Sequence, residues 1–357
     1  MLNSLPSSYG KVVARTTEPG GALSLLIAAA LILSTTAVGP VAAEVVESIN
    51  IRQGLFSTCF VNDQEGWAVG DLGRIFHTTD GAKTFEMQSA GTKRPFVATA
   101  CIDAKHVWIA GQAGQLAHST DGGKTWTNQE SGTDRQLLSI QFVDANNGFA
   151  VGDFGTMLRT ENGGSTWTKV PVPQDLQLPE DMIGIVEPGD IVLYAVSYAD
   201  AQHLAVVGEF GVIMMSQDGG RTFESRKTDI ESTLFGVFMG ENGKGWAVGL
   251  EAVMLSTTDG GQTWKPEKVK TPAGFSLALY DVEVRGNSGW AVGNSGYLLN
   301  TADGGTTWNL VDVPPQMGSY WFREVSLLPG GKGFVVGSTG LILTLDGAKF
   351  TASKTQL

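Results

Sequence analysis

The sequence predicts an all-β fold, a seven-bladed β-propeller, and three observations support that prediction. A double pattern built on Trp-Ala-Val-Gly and Asp-Gly-Gly recurs seven times along the chain. The first glycine shared by the seven copies recurs at a nearly constant spacing. The 357 residues include 47 glycines and nine tryptophans, a composition typical of aromatic-rich strands joined by many tight turns.

The spacing of the shared glycine gives the number and size of the blades. The glycines are Gly70, Gly111, Gly152, Gly208, Gly249, Gly293 and Gly337. Successive glycines are 41, 41, 56, 41, 44 and 44 residues apart. A period of about 40–45 residues is the length of a blade of four short strands. The single long interval predicts an acidic insertion at residues 171–190, which we expect to form an ordered, lid-like loop on the ligand face.

Each copy predicts four strands and one characteristic turn. An apolar strand precedes the Trp-Ala-Val-Gly strand, a third strand follows it, and the Thr-Trp or Thr-Phe pair begins the fourth. The Asp-Gly-Gly segment predicts a tight turn, because glycine adopts positive φ at low cost and aspartate bonds the turn amides. We therefore interpret the acids of these turns as structural; they are Asp80, Asp121, Asp218, Asp259, Asp303 and Asp346, with Asn162 in the third copy.

The N-terminal segment has the pattern of an export signal. Lys11 and Arg15 precede an uncharged apolar run from Gly21 to Val38, and small residues follow at 41–43. This pattern predicts a signal peptide at 1–43 and a propeller at 44–357, with an uncleaved anchor as the alternative. The predicted location is the periplasm, with membrane association also possible.

Two further features concern how the ring is held. A closed ring avoids exposed strand edges, so the segment from Val45 to Arg52 is a candidate to pair with the last blade. The stretch from Lys349 to Leu357 could supply the outermost strand instead, and the sequence does not choose between them. Only Cys59 and Cys101 are present, and we expect two buried thiols rather than a disulfide.

Charge and motifs limit the classes of function. The formal net charge is −12, which disfavours nucleic acid as a partner. The four histidines have no cysteine partners at metal-binding spacing, and no P-loop or nucleophile elbow is present. Sialidase-like chemistry would need three arginines, a Tyr–Glu pair and an acid near the axis, and no spacing indicates them. We therefore expect a monomer with no catalytic residue, no metal and no cofactor, and not an enzyme.

The most informative positions follow the second strand of each copy. The loop there opens on the same face as the connections between blades, and in four blades it carries an acid: Asp71, Asp153, Glu209 and Glu251. A ring of like charge would attract cations, although acids also suit turns for local reasons. The blade connections add basic and aromatic side chains, typical of an interface; they are Lys93, Arg94, Arg135, Tyr320, Trp321 and Arg323. These ten residues form the predicted partner-binding face.

The combination of Ser/Thr-x-Asp-Gly-Gly-x-Thr-Trp, the Asp-box or BNR repeat, with Gly-Trp-Ala-Val-Gly-x-x-Gly resembles one family. It is similar to the Ycf48/HCF136-like assembly factors of photosystem II, over residues 55–350. The resemblance implies a protein-binding scaffold that assists assembly or stability of a membrane or envelope complex, with one of its subunits as the partner. The alternative function is a carbohydrate-active propeller, either a sialidase-like enzyme or a lectin.

Overall fold

The structure is a computed structural model that describes residues 44–46, 54–240, 242–271 and 277–352. Seven antiparallel sheets follow one another along the chain, and their first strands contact each other in a closed ring. The prediction of a seven-bladed β-propeller is confirmed. The predicted signal peptide at 1–43 lies outside the described residues. In the part of the chain that is described, no helix has the length and apolar character needed to cross a membrane.

The first two strands of every blade carry most of the core. The first strands line the axis and are β2 Leu55–Phe60, β6 Phe96–Cys101, β10 Leu137–Phe142, β14 Leu193–Tyr198, β18 Leu234–Met239, β22 Leu279–Arg285 and β26 Phe322–Leu327. The second strands are β3 Gly66–Gly70, β7 Val107–Gly111, β11 Gly148–Gly152, β15 Leu204–Gly208, β19 Gly245–Gly249, β23 Ser288–Gly293 and β27 Lys332–Gly337. The last five residues of every second strand are buried, which explains their repeated apolar sequence.

The third and fourth strands form the outer half of each blade. The third strands are β4 Arg74–Thr78, β8 Leu116–Ser119, β12 Thr156–Thr160, β16 Ile213–Ser216, β20 Met254–Thr257, β24 Leu298–Thr301 and β28 Ile342–Asp346. The fourth strands are β5 Phe85–Ser89, β9 Thr127–Gln129, β13 Thr168–Lys169, β17 Glu224–Arg226, β21 Lys265–Pro266, β25 Asn309–Leu310 and β29 Lys349–Ala352. Short 3-10 turns lie at Asp71–Gly73, Gln112–Gly114, Pro188–Asp190, Glu209–Gly211, Pro315–Met317 and Ser338–Gly340.

The shared glycine of the repeat is required by a close approach of two backbones. At Gly152 an added Cβ would lie 1.9 Å from the carbonyl oxygen of Gln136, just before the first strand of the same blade. The equivalent distance is between 1.9 and 2.5 Å in all seven blades. The residue after the glycine donates its N–H to that same carbonyl, as Asp153 does to Gln136 at 3.0 Å. A side chain at this position would break the contact that joins the second strand to the start of the first.

The Asp-box turns have the geometry that the sequence predicts in the first six blades. In blade 5 the Thr257 hydroxyl donates to Asp259, and the backbone N–H and hydroxyl of Thr263 also donate to it. Hydrogen bonds to the Asp259 carboxylate lower its pKa to about 2. The bond from the Thr263 hydroxyl has the largest effect, and the bond from the Thr263 N–H has the next largest. Asp346 is an exception: it ends β28, pairs with Lys349 and forms a hairpin instead.

Of the two alternatives that the sequence left open for the outermost strand of the last blade, the structure shows the C-terminal one. Strand β1, Glu44–Val46, pairs with β5 and becomes a fifth strand of the first blade. Residues 47–53 of the predicted segment lie outside the described residues. The last blade obtains its fourth strand, β29, from its own C-terminal stretch. Since the four main strands of every blade are contiguous in sequence, the last blade has no missing strand for a distant segment to replace.

Side-chain packing therefore closes the ring between blades 7 and 1. The rings of Phe60 and Phe334 stack with centroids 3.6 Å apart. The Phe60 N–H donates to the Ser326 hydroxyl at 3.3 Å, and the Lys332 ammonium contacts Asp63 at 2.6 Å. This junction has the same kind of contacts as the others.

Side chains on one first strand bond the backbone of the next first strand around the ring. The hydroxyls of Ser57, Ser139 and Ser197 accept hydrogen bonds from Thr99, Val196 and Met239 of the following blades. Cys59 and Cys101 also lie on neighbouring first strands. They are 42 residues apart, the same separation as Ser197 and Met239. They form a disulfide with a Cα–Cα distance of 6.0 Å. The expectation of two buried thiols is wrong, because the neighbouring first strands bring these two cysteines within bonding distance.

Candidate partner-binding face and central channel

The seven first strands enclose a central channel of about 990 Å³. Because strands alternate in direction, the blade connections and the loops after the second strands share one end of the channel. We call this end the top face; the Asp-box turns lie at the other end. All ten residues of the predicted partner-binding face belong to loops or strand starts at the top face.

A ring of side chains near the start of the first strands forms the mouth of the channel. Each blade contributes one equivalent residue, and they are Phe56, Val97, Leu138, Tyr194, Phe235, Tyr280 and Arg323. Three aromatic neighbours contact one another edge to face: Tyr194 with Phe235 at 4.9 Å and Phe235 with Tyr280 at 5.7 Å. The Arg323 guanidinium lies 5.2 Å from the Tyr280 ring centroid. The mouth is therefore aromatic on one side and cationic at Arg323, a combination that suits a peptide.

Trp321 extends this mouth at the junction of blades 7 and 1. Its ring stacks on Phe56 with centroids 5.9 Å apart, and it is half-buried. It also covers Gly54, where an added Cβ would lie 3.1 Å from the indole. Asp71 also contacts Gly54, because its carboxylate accepts the Gly54 N–H at 3.1 Å. The structure thus brings Trp321 and Asp71 together.

Three of the predicted acids accept hydrogen bonds from the start of their own blades. Glu209 accepts the Val192 N–H at 2.8 Å, as Asp71 accepts that of Gly54. In blade 6 Asn294 accepts the Ala278 N–H in the same way. Glu251 instead accepts a hydrogen bond from the Ser232 hydroxyl at 3.1 Å. These bonds give the polar residue after the second strand a local structural role. The sequence left that role open as the alternative to a ring of like charge.

Asp153 is in a different electrostatic setting. Partial burial raises its pKa, the nearby charge of Glu209 raises it further, and Arg135 opposes both. The Arg135 guanidinium lies 4.1 Å above the ring of Phe154, and half of the Phe154 side chain is exposed to solvent. Arg135, Asp153 and Glu209 therefore form one charged cluster at the top of blades 3 and 4.

The other basic residues do not join that cluster. Lys93 and Arg94 are exposed on the connection from blade 1 to blade 2. Arg323 lies at the mouth of the channel, and Tyr320 packs against the core between blades 6 and 7. The predicted face is thus divided into an exposed basic rim, the channel mouth and the charged cluster.

Below the mouth, three acids on neighbouring first strands face the channel. Asp281 accepts the Val325 N–H at 3.0 Å, and Glu283 accepts the Leu327 N–H at 2.6 Å. Glu324 bonds the Ser57 hydroxyl and the Thr58 N–H of blade 1. Burial raises the pKa of Asp281 to about 7, and burial followed by the charge of Asp281 raises that of Glu324. These carboxyl groups connect blades 6, 7 and 1 in the manner of the serine hydroxyls described above.

These acids predict a stability that falls as the pH rises towards neutrality. A carboxyl group whose pKa is raised on folding contributes stability below its unfolded pKa of about 4, and that contribution is lost as the pH rises through its folded pKa. For Asp281 the loss falls between about pH 4 and about pH 7. We expect the free energy of unfolding to fall by about 2 kcal/mol from pH 5 to pH 8, a value reduced because the Asp281 side chain is only partly shielded from solvent. Urea unfolding at several pH values measures it.

The matched variants for this prediction are Asp281→Asn and Asp229→Asn. Asparagine keeps an oxygen that can accept the Val325 N–H, so Asp281→Asn should flatten the pH dependence without opening the ring. Asp229 is exposed on a blade connection, and its neutralisation should leave the slope unchanged. An equal slope in the wild-type protein and in Asp281→Asn would contradict the assignment.

Comparison with known proteins identifies the family of this chain. The family model described as photosynthesis system II assembly factor YCF48 matches residues 42–131 and 227–320. The chain belongs to the YCF48 family. No curated protein matches the sequence.

Solved structures agree with this YCF48-family fold. A structure described as YCF48 bound to D1 peptide is 19% identical with a TM-score of 0.66, and the match covers 88% of this chain and 99% of that one. YCF48 from Cyanidioschyzon merolae is 19% identical with a TM-score of 0.65, covering 86% and 99%. A GH74 xyloglucanase from Xanthomonas campestris is 15% identical with a TM-score of 0.67, covering 85% of this chain and 53% of that one. At these identities the solved structures show the fold alone.

Among the described residues, the channel of this YCF48-family chain does not bring together the three arginines that sialidase chemistry requires. Arg323 and Arg285 are the arginines among the described residues that line it. Arg285 lies about 16 Å further along the strand direction than the level of Arg323, given the rise per strand residue. It pairs with Glu283 at 2.7 Å. No group of three or more potential metal ligands occurs within the described ranges.

Sequence reasoning missed the ring at the mouth and the acids beneath it. The mouth residues lie fourteen residues before the shared glycine in six blades and thirteen before it in blade 6. Asp281 and Glu324 each follow their mouth residue directly. Aligning the first strands on that glycine would have found both sets. They were hidden because the individual residues differ in type from blade to blade.

Proposed function

We propose that this YCF48-family protein is a protein-binding scaffold that assists the assembly of photosystem II. The observation that carries the proposal is the channel mouth, where Tyr194, Phe235 and Tyr280 lie beside Arg323 and the half-buried Trp321. Aromatic and arginine side chains of this kind are the usual anchors of protein interfaces. One solved YCF48 is described as bound to a D1 peptide, and we propose a peptide of the D1 subunit as the occupant here as well.

The exposed basic rim complements this mouth. Lys93 and Arg94 form this rim on the connection from blade 1 to blade 2, and Arg135 of the charged cluster adds a third exposed positive charge, while the chain as a whole is acidic. Local positive charge on an acidic protein would orient an approaching partner with acidic groups and increase its association rate. We therefore assign docking to the rim and anchoring to the mouth.

Reversing three of these charges tests the proposal. The variant Arg94→Glu/Arg135→Glu/Arg323→Glu should bind a labelled D1 peptide at least about tenfold more weakly than the wild-type protein, measured by fluorescence anisotropy. The matched control is Lys83→Glu/Lys124→Glu/Arg221→Glu, which reverses the same number of charges in the Asp-box turns at the other end of the channel. It should bind within about twofold of the wild type. Equal loss in both variants, or loss in neither, would overturn the proposal.

We propose no catalytic role, a monomeric state and export to the periplasm or thylakoid lumen. The separation of Arg285 from Arg323 supports the first of these. The disulfide between Cys59 and Cys101 suits an oxidising compartment and so supports export. N-terminal sequencing of the protein purified from that compartment, followed by light scattering, tests cleavage of the signal and the monomeric state.

A further inference from the structure

The insertion at 171–190 is a fixed part of the propeller. Val172 and Leu176 are buried in a core cluster that also contains Met157 of blade 3 and Phe223 of blade 4. The Gln177 N–H donates to the Ser225 hydroxyl on β17, the outer strand of blade 4, at 3.0 Å. No residue of the insertion lines the central channel. The insertion therefore forms a surface separate from the channel wall.

A compact turn at the tip of the insertion holds two isoleucines in solvent. The Pro179 carbonyl accepts the Met182 N–H at 2.9 Å, and the Met182 carbonyl accepts those of Ile185 and Val186 at 3.1 Å. Ile183 is 66% exposed and Ile185 is 75% exposed, the highest values among the large hydrophobic side chains of the described residues. Burying either side chain in a partner would remove apolar surface from water and so favour binding. An ordered turn that exposes two such side chains has the form of a docking element.

The charges around the tip indicate which kind of partner could bind there. The insertion has five acids and no lysine, arginine or histidine. All five are exposed; they are Asp175, Glu180, Asp181, Glu187 and Asp190. None forms an ion pair with another described residue. A nucleic acid or an anionic membrane would be repelled, whereas a segment with both lysine or arginine and apolar side chains would complement the charge and the isoleucines.

We propose that the tip of the insertion, residues 179–187, is a second docking site that binds a basic amphipathic segment of a protein partner. Ile183 and Ile185 supply the apolar contact, and Glu180, Asp181 and Glu187 supply the charge. The site goes beyond the peptide proposed for the channel mouth, because it lies on a different part of the top face and has the opposite charge.

The test uses the mature full chain and a fluorescein-labelled amphipathic peptide of lysine and leucine. Anisotropy titrations compare the wild type with Ile183→Ser/Ile185→Ser and with Glu180→Gln/Asp181→Asn/Glu187→Gln. Both variants should bind at least about tenfold more weakly. Added salt should weaken binding to the wild type more than to the charge variant.

A charge-matched control separates a site from general attraction to an acidic protein. Glu130→Gln/Asp229→Asn/Glu231→Gln removes three exposed acids from blade connections and should bind within about twofold of the wild type. Loss equal to that of the insertion variants would overturn the proposal, as would unchanged binding by the serine variant. So would tight, isoleucine-dependent binding to phosphatidylglycerol vesicles with no binding to the peptide. Binding of the D1 peptide by the insertion variants, measured in parallel, shows whether the mouth is intact.

Discussion

Reducing the disulfide between Cys59 and Cys101 should lower the free energy of unfolding by about 4 kcal/mol, the value that loop-closure entropy gives for a loop of this length. The two cysteines are 42 residues apart and join the first strands of blades 1 and 2. The cross-link restricts the unfolded chain, so its loss favours unfolding. Urea titrations with and without dithiothreitol measure the difference.

The fold itself should survive this reduction. The bond from the Thr99 N–H to the Ser57 hydroxyl still joins the same two strands, at 2.9 Å. The control is Cys59→Ala/Cys101→Ala, whose stability should equal that of the reduced wild type and should not respond to reductant. A wild-type protein whose urea midpoint is unaffected by reductant would show that the bridge does not contribute.

The Trp108→Ala variant should lose about 3–5 kcal/mol of stability, the range for truncating a large buried aromatic residue. Trp108 is fully buried between two other rings, with centroid distances of 3.7 Å to Phe142 and 4.2 Å to His118. Its indole N–H donates to the Gly163 carbonyl of the blade 3 Asp-box at 3.0 Å. The substitution therefore removes both packing and a hydrogen bond between blades 2 and 3. Chemical denaturation measures the loss.

Trp126→Ala is the matched control in the same blade. Trp126 is partly exposed, and its indole nitrogen has no hydrogen-bond partner among the described residues. Truncating it should cost clearly less than truncating Trp108. If the two variants lost the same stability, the bond from Trp108 to the next blade would not be the source of the effect.

The candidate functional site was only partly predictable from the sequence. The loops after the second strands were correctly assigned to the top face, because strand alternation fixes which loops share an end. The sequence placed Arg323 among the blade connections of the predicted partner-binding face and did not anticipate its contact with Tyr280 in the channel mouth. The position of a residue in the sequence shows at which end of its strand it lies. It does not show whether the side chain points to the outer rim or to the axis of the propeller.

The sequence by itself determined the propeller, its seven blades, the Asp-box turns of the first six blades and the place of the insertion. Each of these depends on contacts within a single repeat, such as the Thr263 bonds to Asp259 or the approach of Gly152 to Gln136. Only the tertiary structure decided the bridge between Cys59 and Cys101, the pairing of β1 with the first blade, and the mouth of the channel. These depend on contacts between residues of different blades or of a strand outside the repeat, whose distances are set by closure of the ring and leave no periodic signal in the chain.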